Sequence, residues 1–316
     1  MSNKIIRCVL LSNTLDLREY LAPEIERLSG VVSFVDHLDG SDPGDIEMAV
    51  GWFPPPDAFT HYPNIKAACS IAAGADSLLH CPSMRDEIDI VRVIEPAQAE
   101  MMSGFVIWNA IYHQRQMGVY RQQQLDKVWQ RLPQRAAREV PVGILGYGAI
   151  GARVAADLAT LGFPVKVWSR TPKLTGAGVA GFHGTEGLER MLDDTEILIN
   201  LLPLTSETRG ILNGGLFAKL RRGAYLIHTG RGAHMVEQDV FAALDSGQLS
   251  GASVDVFPIE PLSKDSPFWT HPKVLLTPHD ACDVTMTAIG VTIRATAASV
   301  QAGLTPKDTV DRARGY

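Results

Sequence analysis

The first hundred residues alternate short apolar runs with segments of helical periodicity. Five apolar runs have the length of β-strands, at 5–11, 31–35, 47–52, 65–71 and 89–93. Between the first two, a helical pattern over 15–28 contains Pro23, which is expected to start, end or kink a helix there because its ring blocks a normal helix interior. Strands that alternate with helices predict a parallel sheet with crossover connections.

A long helical pattern follows at 100–127. Its apolar positions are Met101, Phe105, Trp108, Ile111, Tyr112 and Val119, and its end is rich in Gln and Arg. A helix of this length between two α/β segments is typical of a connector between domains that also packs against a second subunit. An ordinary amphipathic surface helix remains an alternative interpretation.

A second α/β series occupies the rest of the chain. Apolar runs predict strands at 141–145, 165–168, 196–202, 224–228, 252–256 and 274–276, and helical patterns lie at 152–161, 188–192, 214–220 and 236–246. A last helical pattern at 285–302 follows the final strand, and we expect it to cross back to the first domain. The predicted domains are residues 1–103 plus 285–316, a discontinuous domain, and residues 104–284.

Composition and charge narrow the class of protein. A chain of 316 residues predicts about two domains of ~150 residues. The net charge of −6 argues against a general nucleic-acid binder, because such proteins usually carry a basic excess. No apolar run approaches the ~18 residues that span a bilayer. The four cysteines are too sparse for a disulfide framework and lack metal-site spacing, so a cytoplasmic protein is expected.

The first chemical motif is Gly146-Tyr147-Gly148-Ala149-Ile150-Gly151, which joins a predicted strand to a predicted helix. In such a turn the first glycine permits a tight bend, the second lets the backbone approach a pyrophosphate, and the third lets the helix pack close to the strand. The diphosphate then lies at the helix N-terminus, where unpaired N–H groups and the helix dipole favour negative charge. The motif therefore predicts a dinucleotide site.

The end of the next strand distinguishes NAD from NADP. An acidic side chain there holds the 2′-hydroxyl of NAD, but this chain has Ser169-Arg170-Thr171 followed by Lys173. A guanidinium offers forked donors to phosphate oxygens. NADP is therefore preferred over NAD, although an exposed turn that happens to contain Arg170 remains an alternative.

Several further motifs occur in a fixed order in the second half of the chain. They are Asn200-Leu201-Leu202-Pro203-Leu204-Thr205-Ser206-Glu207-Thr208, Thr229-Gly230-Arg231-Gly232, Asp255-Val256-Phe257-Pro258-Ile259-Glu260-Pro261-Leu262 and Thr277-Pro278-His279. Together with the glycine turn, they resemble the D-isomer-specific 2-hydroxyacid dehydrogenases. Within that family, the chain is most similar to the glyoxylate/hydroxypyruvate reductases at 51–55, at 168–171 and in the tail 310–316. The resemblance implies an α/β fold with two Rossmann-like, doubly wound parallel-sheet domains.

The resemblance also implies a catalytic trio of Arg231, Glu260 and His279. Reduction of a 2-oxo acid needs a proton donor for the carbonyl oxygen, and imidazolium suits that task near neutral pH. Glu260 would hold the ring of His279 and favour its charged form. Arg231 would polarise the carbonyl and bind the substrate carboxylate.

Further contacts are implied for the cofactor and the substrate. The cofactor set is Gly146, Gly148, Ala149, Ile150, Gly151, Ser169, Arg170, Thr171, Lys173, Leu202, Pro203, Thr208, Thr229, Gly230, Arg231, Asp255 and His279. The substrate set is Trp52, Ala73, Gly74, Ala75, Arg231 and His279. For Trp52, a packed aromatic at a strand end is an equal alternative. A metal site is not expected, since His279 and Cys282 lack further ligands.

Three residues depart from the family pattern. Ala72 stands where glycine is common, His228 where a small polar residue is common, and Asp280 where apolar residues are common.

The activity expected from the resemblance is NADPH-dependent reduction of glyoxylate to glycolate and of hydroxypyruvate to D-glycerate by a homodimer. Alternatives are another dehydrogenase of the same family, a dinucleotide-sensing corepressor, or a nucleotide-binding protein with methyl-transfer chemistry. The trio and the lack of an additional partner-binding segment count against the corepressor, and Arg170 and the later motifs count against methyl transfer.

Overall fold

The computed structural model describes residues 4–312. The strands are β1 (Ile6–Ser12), β2 (Val32–Asp36), β3 (Met48–Trp52), β4 (Ala67–Ser70), β5 (Asp89–Val91), β6 (Val142–Leu145), β7 (Val165–Ser169), β8 (Val179–His183), β9 (Ile197–Asn200), β10 (Ala224–His228), β11 (Leu249–Val254) and β12 (Val274–Leu276). The helices are α1 (Leu17–Tyr20), α2 (Ala22–Leu28), α3 (Asp76–Leu79), α4 (Pro96–Gln114), α5 (Met117–Leu125), α6 (Ala149–Thr160), α7 (Gly184–Leu192), α8 (Gly214–Phe217), α9 (Glu237–Asp245) and α10 (Met286–Ala302). Of the tail motif 310–316, residues 313–316 lie outside the described residues.

The chain divides into two compact units. One comprises Met1–Pro96 and Asp283–Tyr316, and the other comprises Ala97–Cys282. The first unit is discontinuous because α10 packs on its sheet through residues spaced at helical intervals, Ile289, Ile293, Ala297 and Val300.

The sheet of the first unit has five parallel strands in the order β2-β1-β3-β4-β5. Alternate residues of β1 enter different cores, with Cys8 and Leu10 on one face and Val9 and Leu11 on the other. A strand buried on both faces is the reason for the continuous apolar run in the sequence. Pro23 lies in the first turn of α2, where its missing N–H costs nothing.

The sheet of the second unit has seven parallel strands in the order β12-β11-β10-β9-β6-β7-β8. From β6 the chain first proceeds through β7 to β8 and then returns to β9 on the opposite side of β6. The sheet therefore has a topological switch point between β6 and β9, at whose carboxyl ends ligands bind in folds of this type. The two sheets confirm the predicted α/β fold class.

Two elements differ from the sequence-based expectation. The helix predicted over 100–127 is interrupted, because Gln116 adopts a left-handed conformation with φ of 56° between α4 and α5. Strand β8 was not predicted. It is an edge strand that pairs with β7 alone and has mostly exposed side chains, so its apolar pattern is weak.

No helix within residues 4–312 is both long enough and apolar enough to cross a membrane.

Candidate functional site

The candidate residues of the second unit lie at one edge of its sheet. Each follows the carboxyl end of a strand. Gly146 follows β6, Arg170 follows β7, Leu202 follows β9, Arg231 follows β10, Asp255 follows β11 and His279 follows β12. Since all seven strands are parallel, their carboxyl ends share this edge. Residues that are up to 133 positions apart in sequence, from Gly146 to His279, are thus brought to one side of the unit.

The glycine turn between β6 and α6 has no room for side chains at two of its three glycines. Gly146 has a φ of +105°, and a Cβ on it would lie 2.8 Å from the carbonyl oxygen of Leu201. A Cβ on Gly151 would lie 2.1 Å from the carbonyl oxygen of Gly146. The first glycine therefore makes the bend, and the third lets α6 pack against the strand, as the motif predicts.

The N-terminus of α6 fits a dinucleotide diphosphate. Gly148 is the N-cap residue and provides no side-chain hydrogen bond to the first turn, so the backbone N–H groups there are not capped by a side chain. Nothing lies within 4 Å of the position of a Cβ on Gly148. Open space, uncapped N–H groups and the positive end of a 12-residue helix form a suitable cradle for phosphate.

The end of β7 carries the candidate residues for the 2′-phosphate. The Ser169 hydroxyl donates to the carbonyl oxygen of Thr171 at 2.8 Å and so shapes the turn. The Arg170 side chain is 56% exposed, and its guanidinium lies 3.8 Å from the Glu207 carboxylate, which is a long ion pair in water and is worth little. With Lys173 also exposed, this turn has the donor set that suits a phosphate.

The loop after β9 is closed by the hydroxyl of Thr208. This hydroxyl donates to the carbonyl oxygen of Pro203 at 2.8 Å and accepts from the amide of Thr205 at 2.8 Å. Leu202 is buried beside it. The candidate cofactor residues of this loop therefore form one small hydrogen-bonded turn.

The loop after β10 carries Arg231 close to the segment that leads to Glu260. A Cβ on Gly232 would lie 1.9 Å from the carbonyl carbon of Phe257, so only glycine permits this approach of the two backbones. The Arg231 guanidinium donates to the carbonyl oxygen of Gly230 at 2.8 Å. Thr229, just before it, is anchored by its amide to the carbonyl oxygen of Asn200 at 3.3 Å.

Glu260 and His279 form a hydrogen-bonded pair of candidate catalytic groups. The Nδ1 of His279 lies 2.8 Å from Oε2 of Glu260, and the Phe257 amide donates to Oε1 at 2.8 Å. Burial raises the pKa of Glu260, but hydrogen bonds from His279 and Phe257 and the positive charge of Arg231 outweigh it, so the pKa is lower than usual. Glu260 is therefore ionised at neutral pH and holds one side of the imidazole ring.

The loop that carries His279 is organised by Asp255. The buried Asp255 carboxylate accepts hydrogen bonds from the Thr277 hydroxyl at 2.6 Å, from the Asp280 amide at 2.8 Å and from the Ala281 amide at 3.2 Å. Its backbone oxygen accepts from the His279 amide at 2.8 Å. His279 is thereby held at a φ of +57°, a conformation that costs a non-glycine residue about 1–2 kcal/mol.

In the first unit, the candidate substrate residues lie at the carboxyl ends of the adjacent strands β3 and β4. Trp52 ends β3, is half-buried, and contacts Phe53 in a T-shaped arrangement at 4.9 Å. The loop Ala73–Ala75 follows β4, and the Ser70 hydroxyl donates to the carbonyl oxygen of Gly74 at 2.7 Å. Trp52 also packs against the apolar core, so the packing interpretation of this residue is correct whatever its role toward a substrate.

Sequence reasoning missed four residues that build these loops, namely Ser70, Asn200, His234 and Thr277. Each lies inside or beside a recognised motif, and each is a polar residue whose hydrogen bonds reach a loop of the site. A polar residue at the end of an apolar strand, as at positions 70 and 200, was the available signal. Across residues 4–312, no three His, Cys, Asp or Glu side chains are grouped to hold a metal ion.

Proteins that are similar in sequence cover most of this chain, and solved structures that are similar in fold cover nearly all of it. Residues 107–281 match the family described as D-isomer specific 2-hydroxyacid dehydrogenase, NAD binding domain. The chain is 38% identical over 279 residues to glyoxylate/hydroxypyruvate reductase A of Yersinia enterocolitica, covering 85% of this chain and 88% of that protein.

Solved structures give the same result. An NADPH-dependent glyoxylate/hydroxypyruvate reductase from Sinorhizobium meliloti, in complex with NADP and sulfate, is 35% identical with a TM-score of 0.90, covering 98% of this chain and 100% of the other. A D-isomer specific 2-hydroxyacid dehydrogenase from Xanthobacter autotrophicus, in complex with NADPH and MES, is 34% identical with a TM-score of 0.90, covering 99% and 100%.

Proposed function

The chain belongs to the D-isomer-specific 2-hydroxyacid dehydrogenase family, and from that premise we propose that it reduces glyoxylate to glycolate and hydroxypyruvate to D-glycerate with NADPH. The class of enzyme, an NADP-dependent D-2-hydroxyacid dehydrogenase, follows from the family and from its relatives. The two substrates are taken from the similar reductases. The structural observation that carries the proposed reduction is the 2.8 Å pair of His279 and Glu260, on loops at the same sheet edge as the dinucleotide turn.

The residues that would hold NADPH are those of the carboxyl edge. We assign the diphosphate to Gly146, Gly148 and the start of α6, and the 2′-phosphate to Ser169-Arg170-Thr171 and Lys173. The loops at Leu202-Pro203 and Thr229-Arg231 lie on the other side of the switch point and would border the nicotinamide. When bound, NADPH supplies the hydride that adds to the carbonyl carbon of the substrate.

His279 acts as the proton donor in this proposal. A carboxylate can only accept, so the 2.8 Å contact means that His279 Nδ1–H donates to Glu260. Nε2 is then the ring nitrogen that gives a proton to the carbonyl oxygen as negative charge develops there. Donation from Nε2 requires the imidazolium form of the ring, in which both nitrogens carry hydrogen.

Arg231 binds the substrate in this proposal. Its guanidinium can hold the substrate carboxylate and stabilise the developing negative charge on the carbonyl oxygen. The charge of Arg231 also contributes to the lowered pKa of Glu260, which supports placing the three groups in one constellation. For the first unit, we propose that Trp52 and the backbone of Ala73–Ala75, at the carboxyl ends of β3 and β4, are contacts for a small oxo acid.

Initial rates of NADPH and NADH oxidation with glyoxylate, hydroxypyruvate and pyruvate test the proposal. We expect the highest kcat/KM with NADPH and either glyoxylate or hydroxypyruvate. A clear preference for pyruvate would replace the proposed substrates with those of another dehydrogenase of the family. No oxidation of either cofactor with any 2-oxo acid would contradict the enzymatic proposal itself.

The cofactor assignment predicts a selective effect of Arg170→Ala. Removing a charged donor to the 2′-phosphate should weaken NADPH binding by about tenfold or more and leave NADH binding unchanged, as measured by fluorescence titration of each dinucleotide. Arg190→Ala is the matched control, because Arg190 lies over the ring of Phe182 and is outside the candidate site. Equal losses for the two dinucleotides in Arg170→Ala would contradict the 2′-phosphate assignment.

We also propose a cytoplasmic homodimer. Four cysteines without paired spacing in 316 residues are typical of a reducing compartment. On α4 and the segment after it, Trp108, Ile111, Met117 and Val119 are exposed by 38–52%, an apolar surface that a second copy would cover. Light scattering of the purified protein measures the mass directly, and a monomer would contradict the proposal.

A further inference from the structure

Beneath the Arg231 loop lies a buried group of three polar side chains that the proposed chemistry does not use. Asn200, His228 and His234 are all fully buried. Asn200 ends β9, and His228 ends the neighbouring β10 at the same register position. His234 follows in a short 3₁₀ turn, Gly232–His234. The group therefore lies directly under the carboxyl edge.

The hydrogen bonds of His234 determine which of its nitrogens carries the proton. The backbone amide of Arg231 donates to Nδ1 at 3.0 Å, so Nδ1 is an acceptor. Nε2 lies 3.2 Å from the carbonyl oxygen of Pro203, which can only accept, so Nε2 carries the hydrogen. One ring thus joins the loop after β10 to the loop after β9 through backbone groups, whose donor and acceptor roles cannot be exchanged.

Asn200 and His228 hold this ring in place. The Asn200 side-chain oxygen accepts from the Leu202 amide at 3.3 Å, so its nitrogen faces the two imidazoles and lies 3.2 Å from Nδ1 of each. A Cβ on Gly230 would lie 2.8 Å from that nitrogen and 3.0 Å from Nδ1 of His234. The Gly230-Arg231 backbone therefore rests directly on the buried group, and a change in the ring is transmitted to it.

We propose that His234 is a positioning residue with two separable roles, one for each ring nitrogen. Nδ1 fixes the position of the Arg231 backbone and thereby the way in which Arg231 binds the 2-oxo acid. Nε2 fixes the position of the Pro203 carbonyl oxygen and thereby the conformation of the loop beside the cofactor. The inference rests on the proposed function, because it takes Arg231 as the substrate-binding residue and the Pro203 loop as a cofactor contact.

Two substitutions separate the roles. In His234→Asn, the side-chain oxygen replaces Nδ1 as acceptor and the donor to Pro203 is lost. In His234→Gln, the side-chain amide reaches the position of Nε2 and the acceptor for Arg231 is lost. We expect the Asn variant to raise the Kd of NADPH about tenfold and keep the KM for the oxo acid at saturating NADPH. We expect the Gln variant to keep the NADPH Kd and raise that KM about tenfold. The Asn variant loses the buried hydrogen bond to Pro203, whereas the Gln variant loses Nδ1, the acceptor for the Arg231 amide and for Asn200.

His271 provides the matched control. Its Nδ1 also accepts a backbone N–H, that of Lys273 at 3.2 Å, but it precedes β12 and so lies at the opposite edge of the sheet. His271→Asn and His271→Gln should leave both constants unchanged. If the two His234 variants alter the same constant, or if neither alters any, the proposal is wrong.

Hydrogen exchange supplies a measurement that needs no activity and that distinguishes this inference from the proposed function. Peptides covering 229–235 should exchange faster in His234→Gln than in the wild-type protein, because the acceptor for the Arg231 amide is lost. Unchanged exchange would contradict the positioning role even in an active enzyme. A wild-type protein that binds NADPH but reduces no 2-oxo acid would instead contradict the proposed function.

Discussion

Strand β9 buries polar groups at both ends, and the two ends do so in opposite ways. Just before its amino end, Glu196 is buried beside one histidine and two arginines. His113 lies 3.0 Å from its carboxylate, Arg135 forms a bidentate ion pair with it, and Arg221 lies 3.4 Å away. Burial alone would raise the pKa of Glu196, but the hydrogen bonds and charges of His113 and Arg135 lower it to about 2. The amino end therefore holds a buried charge that is fully paired.

The carboxyl end holds buried groups that carry no charge. Burial lowers the pKa of His228 to about 3, with a smaller contribution from His234. The Nε2 atom of His228 has no hydrogen-bond partner within residues 4–312. A buried polar nitrogen without a partner costs about 1–3 kcal/mol.

We expect the buried groups at the amino end of β9 to contribute to stability and those at the carboxyl end to contribute to function. The paired charge at the amino end joins α4 and the segment at Arg135 to the sheet, far from the candidate loops. The neutral group at the carboxyl end lies under those loops and is less well satisfied. Incomplete hydrogen bonding is tolerated where the groups position a site. Substitutions at the amino end should therefore change stability alone, and those at the carboxyl edge should change kinetics.

The largest expected effect is on turnover at the carboxyl edge. His279→Ala should lower kcat by roughly 10²–10⁴-fold, the range typical for loss of a general acid, while the NADPH Kd and the urea midpoint stay within error. Initial rates, fluorescence titration and urea unfolding measure the three quantities. An equal loss of NADPH affinity would mean that His279 serves the cofactor rather than the proton transfer.

The second effect is on stability at the amino end. Glu196→Gln should lower the free energy of unfolding by about 2–3 kcal/mol, less than for a fully buried pair, because Arg135 is partly exposed and can be hydrated. Urea unfolding followed by tryptophan fluorescence suits this test, since four of the five tryptophans lie in the second unit.

The matched control for this variant is Glu189→Gln. It breaks the exposed pair with Lys219, which should contribute at most about 1 kcal/mol. Both variants should keep the wild-type kcat and KM. A changed kcat in Glu196→Gln would show that the two ends of the strand are coupled.

The third effect is a slope of stability with pH, which is at most about 1.4 kcal/mol for a change of one pH unit. His228 is protonated below its usual pKa of 6.5 in the unfolded chain but only near 3 in the fold. The unfolded state therefore binds more protons in this window, and stability is complete above pH 6.5 and falls toward pH 3, by up to about 1.4 kcal/mol per pH unit. The contribution of Glu196 is complete above its usual pKa of 4.5 and is lost toward pH 2.

Between pH 4.5 and 6.5 the contribution of His228 to stability changes with pH, whereas that of Glu196 is constant. His228→Asn keeps an acceptor for Asn200 but cannot titrate, so its urea midpoint should fall less than that of the wild-type protein in this window. Glu196→Gln should keep the wild-type slope there and differ from it only at lower pH. A wild-type slope in His228→Asn would mean that His228 is protonated in the fold.

The sequence by itself determined much of the fold. The strands at 224–228 and 274–276 were predicted with the bounds observed. The first is a central strand that is buried along its whole length and therefore needs a continuous apolar run. The second is a partly buried edge strand whose three residues are all apolar. The glycine turn was equally local, since the positive φ of Gly146 and the close approach at Gly151 leave no choice of residue. The family and NADP also followed from the motifs and are confirmed.

Only the tertiary structure determined where α4 ends, because the contacts at its end are made with a distant part of the chain. Gln and Arg favour helix, so nothing local ends α4 at Gln114. Instead, the side chain of Gln114 donates to the carbonyl oxygen of Arg135 and that of Gln116 to the carbonyl oxygen of Pro133. The end of α4 is therefore held by contacts with residues 133–135, which the helical pattern of the sequence does not show.

In the candidate site, too, the sequence determined one part and the tertiary structure another. Motifs predict which residues would touch a cofactor or substrate, because that chemistry restricts residue types. They did not identify how the loops are held. Asp255 binds amides at 280 and 281, and His234 links Arg231 to Pro203. Each of these hydrogen bonds has a backbone group as a partner, and every residue has such groups. The sequence therefore does not show which loops are linked, because the links form only where the parallel strands bring the loops to one edge.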